Sequence, residues 1–211
     1  ASGTLRQSGA PSGPDQCALA SDGDDRDPAW RSDTASAADV ASAGWASTTD
    51  DAWTAPVAWF VADEPVLKDR ALVTSEPVVV PDWAPAVLEF RHRVHLAAPW
   101  DGGVLEYSSD GGRTWRDPVE GDGDRIAADP ERYLEGGPAA RLARQGSDNP
   151  LAGRIAWTGS SHGWRRVAVD LAGFAGARLL LRWRLGCDGA GDTDGGWWVD
   201  DIRLAVPLPC Q

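Results

Sequence analysis

Between Val87 and Leu96 the chain changes character at every residue. Leu88, Phe90, His92, Val94 and Leu96 alternate with Glu89, Arg91, Arg93 and His95. A period of two puts successive side chains on opposite faces, so the segment reads as a half-buried antiparallel strand. The same alternation returns where Leu179, Leu181, Trp183 and Leu185 interleave with Arg178, Leu180, Arg182 and Arg184, and Val167, Val169 and Leu171 share a face. Asp101-Gly102-Gly103 and Asp110-Gly111-Gly112 bracket the strand-like Val104–Ser109 as turn signals. No segment carries a sustained helical period with caps. The expectation is an all-β fold, a two-sheet antiparallel jelly-roll sandwich with long loops, whose interior holds Phe90, Leu181 and Ile202. Residues 1–28, rich in Ser, Gly, Pro and Asp, read as a flexible tail ahead of one domain over 29–211. Residues 117–150 lack periodicity and read as a long excursion from the sandwich.

Charge narrows the partners. A formal net charge of −12 repels phosphate backbones and anionic membrane surfaces, so neither nucleic acid nor membrane insertion is expected. No run of 18 apolar residues is present to span a bilayer. The chain starts at Ala1 without Met, as a processed or excised protein would. Its three cysteines, Cys17, Cys187 and Cys210, form no CxxC pair. A staple between Cys17 and Cys210, a Cys187–Cys210 bridge and three inert thiols are all compatible with the spacing.

Several motifs bear on chemistry. Ser108 to Trp115 fits the Asp-box pattern, in which an aspartate gathers turn amides, glycines supply positive φ and a tryptophan packs behind. It is a folding device, and a propeller would need a copy per blade. Asp200-Asp201 in the last strand is the best metal candidate. Strict alternation puts Asp200 with Trp198, Ile202 and Leu204, and Asp201 with Val199, so one acid faces inward. A buried carboxylate is costly unless an arginine pairs with it or a cation such as calcium binds it. Asp188 to Asp194 is an acidic loop without EF-hand spacing. His92 and His95 fall on opposite strand faces and cannot clasp one metal; Ser161-His162 has no acid partner or GxSxG context. Of the twelve tryptophans, Trp100, Trp164 and Trp197 lie beside turns and are the expected exposed platforms for a sugar ring.

Four segments occur together: Asp69–Pro77, Val87–Trp115, Asn149–Trp164 and Gly195–Leu204. In order and spacing they resemble the β-sandwich module of immune inhibitor A-type secreted metallopeptidases and, more loosely, MAM domains. The resemblance covers about residues 55 to 206. It implies a jelly roll with a structural calcium ion, and an accessory role beside catalytic or adhesive domains of a secreted or surface parent protein. It also implies Asp201 as a calcium ligand, joined by Asp22, Asp24 or Asp69. The peptidase HExxH motif is absent, and Ser21–Asp27 lacks the aromatic of the MAM signature. The expected function is a non-catalytic binding module in an extracellular setting; a carbohydrate-binding module is the alternative, with a glycan or protein as ligand.

Overall fold

The computed structural model describes residues 29–37, 42–119, 130–190 and 195–206. Among these residues thirteen strands follow one another: β1 (Trp30–Thr34), β2 (Ala46–Thr48), β3 (Ala58–Ala62), β4 (Leu67–Thr74), β5 (Val78–Val79), β6 (Val87–His95), β7 (Gly102–Ser108), β8 (Tyr133–Glu135), β9 (Ala140–Arg141), β10 (Ile155–Ala156), β11 (Arg165–Asp170), β12 (Arg178–Asp188) and β13 (Gly196–Ala205). Every pairing between them is antiparallel. In the first sheet β12 is central: β4 and β5 pair along one edge, β7 along the other, and β1 lies outside β4. The second sheet runs β2-β3-β13-β6-β11-β8. No helix among the described residues is long and apolar enough to cross a membrane.

The two sheets close on one apolar interior. Leu88, Phe90, His92, Val94 and Leu96 are all buried, as are Leu179, Leu181, Trp183 and Leu185, so the expected core faces hold; on the opposite parity Glu89, Leu180 and Arg182 are buried as well. Phe90, Leu181 and Ile202 belong to the same core cluster. Trp183 anchors it, with its ring 5.3 Å from Phe90 and 5.5 Å from Trp30, both edge-on.

The last strand departs from strict alternation. Trp197 and Val199 point inward, but so do Ile202 and Leu204, an odd step apart. The register against β6 shifts between Asp200 and Arg203, and Asp201 takes φ 49°. This is a β-bulge: one extra residue resets which parity faces the core. Trp197, expected at the surface, is therefore fully buried, its ring 5.4 Å from Trp45 and 5.7 Å from Trp157. It lies on the backbone of Gly103, where a Cβ would come within 2.2 Å of the indole. Gly103→Ala is expected to cost about 1–3 kcal/mol through overpacking, read as a lower urea midpoint at unchanged slope. An unchanged midpoint would show that the Trp197 ring yields.

Residues 117–150 are less of an excursion than expected. β8 joins the edge of the second sheet against β11, and β9 pairs with β10. The β9–β10 hairpin lies over the outer face of the first sheet, where Leu142, Leu151 and Ala156 form a second small core with Val104. Asn149 pins this layer by donating to the carbonyls of Trp100 and Gly186, both at 2.7 Å. β7 is consequently buried along its whole length.

The Asp-box turn follows β7. The Thr114 N–H and hydroxyl donate to Asp110 at 2.9 and 2.6 Å, and Ser108 Oγ accepts the Gly112 N–H at 2.8 Å. Gly111 and Gly112 supply φ 77° and 88°. Trp115 carries the Arg182 guanidinium on its ring, 4.2 Å from the centroid.

Candidate functional site

The outer face of the second sheet gathers side chains by strand parity. Phe60 on β3 pairs with Trp198 on β13, which pairs with Arg93 on β6. The Phe60 and Trp198 rings lie 4.5 Å apart, and the Arg93 guanidinium sits 5.0 Å from the Trp198 centroid. In the next row Asp200, Arg91 and Arg166 are neighbours across β13, β6 and β11. Trp53, from the loop before β3, is 50% exposed and stacks against Arg91 at 4.5 Å. Asp51 in the same loop pairs with Arg93 and accepts the Trp164 indole N–H at 3.0 Å. The result is a patch of aromatic rings and guanidinium planes on a chain that is otherwise strongly acidic.

Its arginines are unequally occupied. Arg166 bridges Glu89 and Glu135, while Arg203 holds Glu89 at 2.5 Å. Burial works to raise the Glu89 carboxyl, and the hydrogen bonds and charges of Arg203 and Arg166 outweigh it, holding it below its ordinary value. Among the described residues no carboxylate lies within ion-pair distance of Arg91, whose guanidinium plane rests on Trp53. Such a donor fork beside an exposed indole can stack on a ring and hydrogen-bond its substituents.

The residues singled out from sequence fall at several places. Trp100 is 37% exposed in the β6–β7 turn, and Trp164 is half-buried at the edge of the aromatic patch. Trp197 is a core residue. Asp200 is buried beneath the loop that carries Trp53; it accepts the N–H of Thr54 at 2.9 Å and of Asp201 at 2.7 Å. Burial raises its carboxyl above the ordinary value. Asp201 accepts the Thr54 hydroxyl at 3.1 Å. Asp69 stands in the other sheet, gripped in bidentate fashion by Arg184 at 2.7 and 2.9 Å. It is an ion-pair residue and does not meet Asp200 or Asp201. Asp22 and Asp24 lie outside the described residues, as do Cys17, Cys210, Asp192 and Asp194. Among the described residues no third His, Cys, Asp or Glu joins Asp200 and Asp201 within ligand range.

A cleft of about 370 Å³ opens between the β8–β9 segment and β11, lined by His92, Gly136, Trp157, Ser160, Ser161 and Arg165 among others. Its floor is apolar and aromatic, with the His92 and Trp157 rings 5.0 Å apart. Ser161 Oγ accepts the Val94 N–H and donates to the Gly163 carbonyl at 2.7 Å, so the hydroxyl closes a turn. His162, at φ 53°, is part of that turn.

Trp53, Phe60, Trp198 and Arg91 were not singled out in the sequence as a site. Arg91 and Arg93 could have been, since both lie on the polar parity of β6. Trp198 could not, because the bulge that assigns its face leaves no trace in residue type.

No protein-family model and no curated protein sequence matches the chain, so the likeness to immune inhibitor A-type modules rests on the four sequence segments alone. Among solved structures it is similar to TmCBM61 in complex with β-1,4-galactotriose, at 12% identity over 84% of this chain and 88% of that one, TM-score 0.46. It is also similar to the K2 cleaved adhesin domain of Lys-gingipain, at 16% identity over 90% and 94%, TM-score 0.48. A third is the CBM22-1 xylan-binding domain from Paenibacillus barcinonensis Xyn10C, at 10% identity over 86% and 87%, TM-score 0.41.

Proposed function

We propose that this chain is a non-catalytic binding module of a secreted or surface protein, and that it holds a carbohydrate chain on the outer face of its second sheet. The observation that carries the reading is the half-exposed Trp53 indole with Arg91 stacked on it and, among the described residues, no carboxylate within ion-pair distance of that guanidinium. A pyranose ring stacks on the indole, and the guanidinium donates to its hydroxyls or acidic substituents. The Phe60–Trp198 pair, one row away on the same face, extends the surface. The remaining arginines are tied to carboxylates and fix the shape of the face.

A glycan array on the intact chain, followed by titration calorimetry on the best polysaccharide, tests this. Trp53→Ala and Arg91→Ala are each expected to weaken binding about tenfold or more, as anchor residues do. Trp83→Ala removes a 64% exposed tryptophan in the loop between β5 and β6 and is expected to bind as the parent does. An array without hits, or Trp53→Ala binding at parent affinity, would overturn the proposal.

A further inference from the structure

Away from that face, three side chains from separate parts of the fold converge. Asp63 follows β3, Asp101 precedes β7 and Cys187 is next to the last residue of β12; they are 5%, 0% and 0% exposed. Their ligand atoms all lie within 4.8 Å of one another. Each carboxylate is held from behind. The Ala97 N–H donates to Asp63 Oδ2 at 3.0 Å, and the Asp188 N–H to Asp101 Oδ1 at 2.8 Å. The Asp101 backbone is fixed as well: its N–H donates to the Ala97 carbonyl, and its own carbonyl accepts the Thr158 hydroxyl at 2.5 Å. The Cys187 thiol points at Asp63 Oδ1 from 3.6 Å.

Asp101 Oδ2 is a buried carboxylate oxygen that receives no N–H or O–H donor from the described residues, in a side chain grouped with Asp63 and Cys187. Burial and the neighbouring Asp63 raise the Asp101 carboxyl, so without a cation the two acids face each other across a shared proton. Two carboxylates brought together out of water are costly unless a proton or a cation lies between them. The Lys68 ammonium, also fully buried, is engaged with the Ala62 carbonyl at 2.7 Å and with Glu64. The amides behind the two acids act as the outer supports that orient metal ligands.

We propose that Asp63, Asp101 and Cys187 form a buried site for a divalent cation of the borderline, zinc-like class. Two carboxylates alone would suit a hard ion, but a sulfur in the same sphere favours a metal that accepts both oxygen and thiolate. Binding releases two protons to solvent, one from the Cys187 thiol as the metal–sulfur bond forms and one from the Asp63–Asp101 pair, and the ion's charge then offsets both acids. Three protein ligands leave a fourth tetrahedral position. The site shares no residue with Asp200–Asp201 or with the Trp53 face.

The test uses the full chain carrying C17S and C210S, stripped with EDTA and titrated with Co²⁺. A thiolate-to-cobalt charge-transfer band saturating at about one ion per chain and displaced by Zn²⁺ is expected, together with a higher Tm in excess Zn²⁺. C187S is expected to abolish the band and to weaken Zn²⁺ binding about tenfold or more. D101N, which keeps the shape and removes the charge, is expected to fold, to be at least as stable as the metal-free parent, and to lose the Zn²⁺ increment in Tm. No band in the parent, a band that persists in C187S, or a Tm that rises with Ca²⁺ and not with Zn²⁺ would each overturn the assignment.

Discussion

Glu106→Gln is expected to destabilise the protein by about 3–5 kcal/mol, as breaking a buried ion pair on one side does. Glu106 is 3% exposed and accepts from Arg154 and Arg182, each at 2.5 Å, with Arg184 at 3.5 Å. Arg154 continues to the buried Asp117 at 2.7 Å, and Arg184 to Asp69. The network lies between the first sheet and the layer above it, with the Glu106 and Asp117 side chains 4% exposed and those of Arg182 and Arg184 10% and 13%. Burial works to raise the Glu106 carboxyl, and the charges of Arg154, Arg182 and Arg184 outweigh it, holding it below its ordinary value. Glutamine keeps the shape but leaves Arg182 and Arg154 short of negative charge. Urea denaturation measures the loss. Combining Glu106→Gln with Arg182→Gln is expected to cost at least about 1 kcal/mol less than the two single changes summed. Glu135→Gln, at a carboxylate whose side chain is 51% exposed, is expected to cost under about 1 kcal/mol. A Glu106→Gln penalty no larger than that of Glu135→Gln would mean the network is solvated.

Acidification supplies the second large effect. His92 is 2% exposed, packed edge-on against Phe90 and Trp157, and its Nδ1 has no hydrogen-bond partner. Burial pushes its pKa from 6.5 down to about 3. Between those two values the unfolded chain binds a proton that the native state does not, so stability is full above about pH 6.5 and falls as the pH drops toward 3. Two pH units inside that window correspond to roughly 2.7 kcal/mol. The parent is therefore expected to lose about 2–3 kcal/mol more than His92→Phe between pH 6.5 and 4.5, measured as the difference in unfolding free energy at each pH. The comparison removes the contribution of the carboxylates, which titrate alike in both proteins. Parallel pH profiles for the two would show that His92 is already protonated in the fold.

The parts of the fold that were legible in the sequence are those where one strand is long enough to display its period. β6, nine residues long, announced its extent and its core face, and the eleven-residue β12 announced its core face from Leu179 to Leu185. β8 and β9 have only three and two residues, fewer than two full periods, and fall inside the expected excursion, whereas the equally short β10 lies beyond it in the strand-like stretch 154–158. The charged parity of β12 looked like a solvent face because Arg182 and Arg184 stand there. Their partners Glu106 and Asp69 are 76 and 115 residues away in sequence, a pairing that no local pattern encodes. The aromatic patch was hidden for a related reason. Trp53 comes from a loop and Trp198 from the strand that the bulge re-phases, so their common plane exists only after β3, β13 and β6 have paired.

The hairpin layer over the first sheet also makes the sandwich one-sided. With β7 enclosed throughout, the broad surfaces are not equivalent among the described residues: one carries the hairpin layer and the other does not. Polarity of this kind sets how the domain can be mounted. A linker or neighbour crowding the Trp53 side would cover the face proposed to bind, whereas one seated on the roof would leave that face turned outward.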